Sequence, residues 1–398
     1  MTLPEGEDRA KPAAEWPSWA SPLAATAAAA GVAGTLYALA TGGDEAWWML
    51  LVNFLFWGGI AQGTLVWSAI FRTAQATWTP ALNRLGQATL LFLPVSLITY
   101  ALLWSGRHHW LTWLHPEHAV PHKAWWLNEP FFLGRDLAIL VALMVLSAWL
   151  VGTYARGEKQ TDAEAIRRAQ FRLNRIAIAT VILYAFGYSI LAFDLIMSLE
   201  PHWYSSLLGG YYFVSTLYLA MAALILMALA FRGPLGLTPW LGPRRLRDMG
   251  NLMLGFALLT TGFFFAQYLT IWYGNLPEET SFIIRRAYTA PWWPVGAAVL
   301  ALGYLGPFLA RCFPVVKESP RAIGTVAIIA LAALWTERWL LVVPSLAPDR
   351  LAGLGLIYWT IPVGMAGLLA LVVMSALRRH PGVSPLDTAL KLSEGTKL

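Results

Sequence analysis

Cysteine is almost absent from this chain of 398 residues, which has Cys312 and no other. A single thiol excludes a disulfide framework, a CxxCH haem attachment and an iron–sulfur cluster ligated by this chain alone. Charge is scarce as well, at 13% of residues. The seven histidines, His108, His109, His115, His118, His122, His202 and His380, all fall outside the centres of the apolar runs. No pair of them can hold a b-type haem between membrane spans, so the chain is expected to have no metal centre of its own. Net positive charge is missing from the N-terminus, where Glu5, Glu7, Asp8 and Glu15 outnumber Arg9 and Lys11. A cleaved secretory signal needs the opposite charge there, so the first apolar run is expected to be retained behind an extended tail.

What the chain has is apolar length. Hydrophobic residues make up 58% of it, with 21 Trp, a composition outside the range of soluble globular domains. Runs of about 20 apolar residues, enough to cross roughly 30 Å of hydrocarbon, recur throughout. The expected fold is an all-α polytopic membrane protein with ten spans, at 20–41, 46–71, 86–105, 130–154, 176–199, 206–231, 249–273, 291–313, 322–343 and 353–377. With both termini cytoplasmic, 21 of the 28 Lys and Arg lie on the inner side and five on the outer, the bias that orients membrane proteins. The net charge of +6 is then explained by insertion and by contact with anionic lipid, without nucleic acid.

The expected organisation is a cytoplasmic tail (1–17), a peripheral first helix (18–45), a four-helix bundle (46–205) and a second four-helix bundle (206–345). A peripheral tenth helix and cytoplasmic tail follow (346–398), with Pro362 as a kink. The outer loop at 106–129 mixes four Trp with five His, and a short interfacial helix is expected in it. His115, His118 and His122 have a spacing that suits a metal on a helix face, but no acid or thiol completes a site. The charged inner segment "ARGEKQTDAEAIRRAQFRLNR" reads as a helical extension into span five.

Ionisable residues within spans are costly and mark function or buried pairing. Arg135 and Asp136 stand at the start of span four, Asp194 late in span five, and Glu337 and Arg338 late in span nine. Topology puts all five in the outer third of the bilayer. Asp194 lies on a stripe with Thr180, Gly187 and Ser198, and span seven repeats the pattern with Thr260, Gln267, Thr270 and Gly274. Such stripes also serve close helix packing. The bland alternative for the acids is ion pairing, Arg135 with Asp136 or Glu337 with Arg338.

The stretches "FDLIMSLEPHWYSSLLGGYYF", "FFFAQYLTIWYGNLPEETSFIIRR" and "TERWLLVVPSL" resemble the polysulfide reductase membrane-subunit (NrfD-like) family. More narrowly they are similar to the ActF-type subunits of alternative complex III, a bacterial quinol:cytochrome c oxidoreductase. The resemblance runs over nearly all ten spans. It implies bundles of spans two to five and six to nine, in the bacterial cytoplasmic membrane. Implied partners are a sister NrfD-like subunit, an outer iron–sulfur subunit related to molybdoenzymes, and c-type cytochromes. Haem c and iron–sulfur clusters would then belong to those partners, and quinol or quinone to the complex. The chain would be part of an enzyme without being catalytic alone. Carried onto this sequence, Asp136, Asp194, Glu337 and Arg338 match positions of a proton-conducting or buried polar network, with Arg135 and Gln267 beside it. Asp194 and Glu337 would each end a half-channel, with Thr180, Tyr184 and Tyr188 as relays on span five. Glu278, Glu279, Arg285, Arg286 and His202 would form an outer docking surface.

Two rival readings fit the same residues. A proton-coupled secondary transporter also has about ten spans, an approximate repeat and buried acids, and Gly58–Gly59 is the nearest thing to a helix break here. A scaffold subunit would tolerate neutralised acids without loss of coupling.

Overall fold

The structure is a computed structural model that describes residues 16–313, 316–317, 319–379, 382–384 and 386–387. The expected acidic tail as far as residue 15, His380, and the C-terminal tail from residue 388 lie outside these. Among the described residues the secondary structure is wholly helical. Ten helices are long and apolar enough to span a membrane: Ala20–Thr41, Asp44–Thr73, Pro80–Ser105, Glu129–Gly157, Ala163–Leu199, Leu207–Phe231, Pro243–Gly274, Trp293–Cys312, Pro320–Leu346 and Leu356–Arg379. These are spans one to ten, and they make the chain a multi-pass membrane protein.

Spans two to five close a ring in which each helix packs on the next and span five returns to span two. Spans six to nine close a second ring in the same way. The rings join through spans two and six, with span five also against span six and span nine against span two. These contacts place spans two and six at the centre. The most apolar window of span two is 94% buried and that of span six 78%, against 22% for span one. Spans one and ten pack on each other at the edge, where Gly31 and Gly364 meet so closely that a Cβ on either would strike the other's backbone. In lipid, where there is little hydrophobic drive between helices, such small-residue crossings supply van der Waals contact.

Two spans contain π-helical segments. Phe54–Gly58 in span two and Val299–Leu305 in span eight are π-helical, a local widening that is frequent at functional sites. The widening falls at the Gly58–Gly59 pair in span two. In both places a tyrosine from another helix donates to a π-segment carbonyl, Tyr188 to Gly58 O (3.4 Å) and Tyr218 to Gly303 O (2.6 Å).

The helical extension into span five is present, starting at Ala163 with the Asp162 carboxylate accepting from Ala165 N. Two local expectations change, and one segment gains a helix. The 106–129 loop holds no interfacial α-helix; it is a chain of 3-10 turns at Arg107–His109, Thr112–Leu114, Pro116–His118 and Pro121–Lys123, two of them opened by prolines. Pro362 lies in the first turn of Thr360–Arg379 rather than in mid-helix, a place where a proline is tolerated. The segment after span seven folds into a helix, Pro277–Ala287, after Asn275 closes span seven in the left-handed conformation (φ 49°).

Candidate functional site

Each bundle encloses one acid site. In the first, Asp194 on span five is fully buried and takes a two-pronged bond from Arg135 of span four, Nε to Oδ2 and Nη2 to Oδ1, both at 2.7 Å. Trp126 Nε1 also donates to Asp194 Oδ1 (2.9 Å), and its ring lies under the Arg135 guanidinium at 3.8 Å. Such stacking suits a planar, weakly hydrated cation. Asp136, at 0% exposure beside Asp194, accepts from the Tyr100 hydroxyl at Oδ2 (2.8 Å), while its Oδ1 has no partner. The sequence neighbours Arg135 and Asp136 therefore do not pair with each other. Adjacent residues on a helix diverge by about 100°, so Arg135 reaches the next helix instead.

The second site is built around Glu337 of span nine. Its Oε1 accepts from the Tyr211 hydroxyl, from Ser215 Oγ (3.2 Å) and from Arg338 Nη1 (3.1 Å), and its Oε2 accepts from Tyr304 OH (3.0 Å). Arg338, at 0% exposure, also donates to Thr216 Oγ1 (3.3 Å) and sits over the Tyr212 ring at 4.7 Å. Spans six, eight and nine thus converge on one carboxylate.

The expected relay residues of span five serve other contacts. Tyr184 donates to Phe213 O (2.9 Å), Tyr188 to Gly58 O, and Thr180 to Ile176 O of its own helix. Tyr188 stacks on Tyr212, the ring beneath Arg338. Tyr184 and Tyr188 thus bond spans six and two rather than Asp194, because the face of span five that carries them packs on both. Gln267 is buried on span seven, yet it is not among the groups that bond Glu337, and Thr270 and Gly274 on its stripe are exposed.

Below the first acid site, buried polar side chains continue toward the inner face. Gln62 donates to Ser147 Oγ (3.2 Å), linking spans two and four, and Thr64 and Thr89 join spans two and three at 2.9 Å. A cavity of about 30 Å³ lies between these groups and the acids, lined by Gln62, Ser96 and Tyr188 among apolar neighbours. That volume holds one or two waters. At the inner mouth, Asn83 Nδ2 donates to Asp387 Oδ2 (2.9 Å), Tyr154 OH donates to its Oδ1 (3.2 Å), and Arg72 stands 3.7 Å away. Burial pushes the Asp387 carboxyl above the usual carboxylate range. Leu386 beside it packs on Tyr154, Leu173 and Ala177, so a segment beyond span ten closes the mouth.

The outer docking residues divide. His202 and Glu278 are exposed, and Glu279 is half-buried, bonded to the Tyr204 hydroxyl, which it pushes upward in pKa. Arg285 pairs with Glu200 at 2.9 Å. Arg286 is not a docking residue, since it is buried at 6% exposure and braces the interior. Its Nε donates to Leu340 O (2.9 Å), the carbonyl left free because Pro344 has no N–H, while Nη2 reaches Ser345 Oγ (2.6 Å) and Nη1 reaches Glu200 (3.1 Å). Burial lowers its pKa to about 10. Glu200 therefore ties the end of span five to the Pro277–Ala287 helix and span nine.

Among the described residues no three His, Cys, Asp or Glu converge as a metal site. His109 bonds Asp44 (2.6 Å) and stacks on Trp47, and His115 Nε2 lies 3.1 Å from His108 O. No family model and no curated protein matches the chain.

Proposed function

We propose that the chain is an integral membrane subunit of a bacterial respiratory quinol:cytochrome c, or related acceptor, oxidoreductase of the NrfD-like kind. It contributes a proton-conducting polar network and an outer docking surface, and the redox groups belong to its partners: an iron–sulfur subunit on the outer face, c-type cytochromes and a sister membrane subunit. The observation that carries this reading is the first acid site, where two buried carboxyls lie side by side, Asp194 clamped by the Arg135 guanidinium and Asp136 with one oxygen that no donor reaches. Neighbouring carboxyls buried within membrane spans are the groups from which proton relays are built, and the Asp136 oxygen that no donor reaches leaves room for an exchangeable proton. The Gln62–Ser147 pair and the water-sized cavity supply steps for that proton toward Asp387 and the inner face.

A scaffolding role is favoured for the second site by one observation, the four donors that already occupy both oxygens of Glu337. The test is to tag the chain, extract it gently from its native membrane, and record the visible spectrum and quinol:cytochrome c activity of what co-purifies. Co-purifying c-type haem with inhibitor-sensitive quinol oxidation is expected. A colourless, monodisperse protein alone would overturn the respiratory reading, and ion-gradient transport in liposomes would then replace it.

A further inference from the structure

On the inner half of the molecule, spans four and five frame a groove of about 850 Å³ that the acid sites do not use. Its floor is apolar, made by Leu146, Ile176 and Ala179, and two aromatic rings, Trp149 and Phe171, stand in it at 49% and 66% exposure. Its charged wall is four arginines of span five, Arg167, Arg168, Arg172 and Arg175. Hydropathy puts these arginines just inside the point where span five enters hydrocarbon, at residue 176 in the sequence. Arg168 has one weak exposed partner, Glu164 at 3.8 Å, Arg175 lies 5.9 Å from the Phe171 ring, and no ion pair engages Arg167 or Arg172 among the described residues.

We propose that this groove binds an anionic phospholipid of the inner leaflet, with a headgroup of two phosphates. The groove brings guanidinium groups, aromatic rings and an aliphatic floor into one lining, the three kinds of surface that suit a phospholipid's phosphate, glycerol ester and acyl chains. Arginine binds phosphate through two parallel N–H bonds, and basic grooves between spans at the cytoplasmic side suit such headgroups. Arg167 to Arg175 covers about 12 Å along the helix at 1.5 Å per residue, longer than one phosphate and matched by two joined through a glycerol. The wall carries four positive charges against one nearby acid, so a zwitterionic lipid leaves it uncompensated. The inference is independent of the respiratory reading, because none of the residues that line the groove bonds either acid site.

The test is thermal unfolding of the delipidated full-length chain in neutral detergent, with added cardiolipin, phosphatidylglycerol, phosphatidylcholine or inorganic phosphate. Cardiolipin is expected to raise the unfolding temperature at micromolar concentration, phosphatidylglycerol less, and the other two not at all. Arg172→Gln and Arg175→Gln are each expected to weaken the cardiolipin response about fivefold, from about 1 kcal/mol per arginine, while leaving the lipid-free unfolding temperature unchanged. That lipid-free value separates loss of binding from loss of fold. Added salt should weaken the response further. Equal responses to cardiolipin and phosphatidylcholine, or to inorganic phosphate alone, would overturn the lipid site. An equal response to phosphatidylglycerol would overturn the two-phosphate assignment.

Discussion

Asp194 and Glu337 stand at matching places, each late in the fourth helix of its bundle, but they are held in opposite ways. Glu337 collects four donors on two oxygens and has Arg338 as a covalent neighbour. Asp194 is clamped by an arginine from another helix and has a second carboxyl, Asp136, at its side with an oxygen to spare. A saturated carboxylate fixes geometry, whereas a carboxyl pair with too few donors keeps a place for a proton. An acid in the membrane is therefore read by its donor count rather than by its depth.

The comparison can be broken first at the arginines. Asp194→Asn and Glu337→Gln each strand a buried guanidinium, so each is expected to cost roughly 3–5 kcal/mol, measured as unfolding in detergent. The double change Arg135→Met with Asp194→Leu should recover most of that loss. A double variant as unstable as Asp194→Asn would refute the ion-pair account. Next in size is Tyr304→Phe, which removes the single donor to Glu337 Oε2 and is expected to cost about 1–3 kcal/mol. Asp136→Asn separates the two sites most sharply, since it is expected to change stability by less than about 1 kcal/mol because one oxygen was already bare. It should nonetheless lower the protons moved per electron in the reconstituted complex, where Tyr304→Phe leaves that ratio alone. An unchanged ratio for Asp136→Asn would remove the first bundle from the proton path.

The smallest effect concerns pH. The Asp387 carboxyl is pushed upward by burial, so the folded state binds its proton more tightly than the unfolded chain does. Its contribution is fully present below about pH 4, the unfolded value, and is lost as pH rises through the higher folded value. Hydrogen exchange of the segment around Leu386, corrected for the intrinsic rate, should show more protection at pH 4 than at pH 8, and Asp387→Asn should flatten the difference.

Span positions were legible because hydrocarbon thickness imposes a length on every apolar run. Observed ends differ from the hydropathy runs mainly where polar first or last turns extend a helix, as at Ala163 and Pro243. The five intramembrane charges were legible for the same reason, since a charge in an apolar run stands out. Their partners were not. Tyr100, Tyr211, Tyr304 and Trp126 are a few among 14 Tyr and 21 Trp, and nothing local distinguishes a tyrosine that bonds a carboxylate from one that packs. Arg286 looked like surface because its neighbours Glu278 and Arg285 are polar, and only the free carbonyl created by Pro344 on another span explains its burial. The partners of Tyr184 and Tyr188 were hidden in the same way, because the groups they meet belong to spans six and two.

The closure by Leu386 and Asp387 also sets an order of events during synthesis. Every wall of the first bundle is complete once span five has left the ribosome, yet the residues that seal its inner mouth follow span ten. The polar groups at that end of the first bundle therefore wait for their last partners until the whole second bundle has been made, so two bundles that are separate in space are joined in the order of their completion.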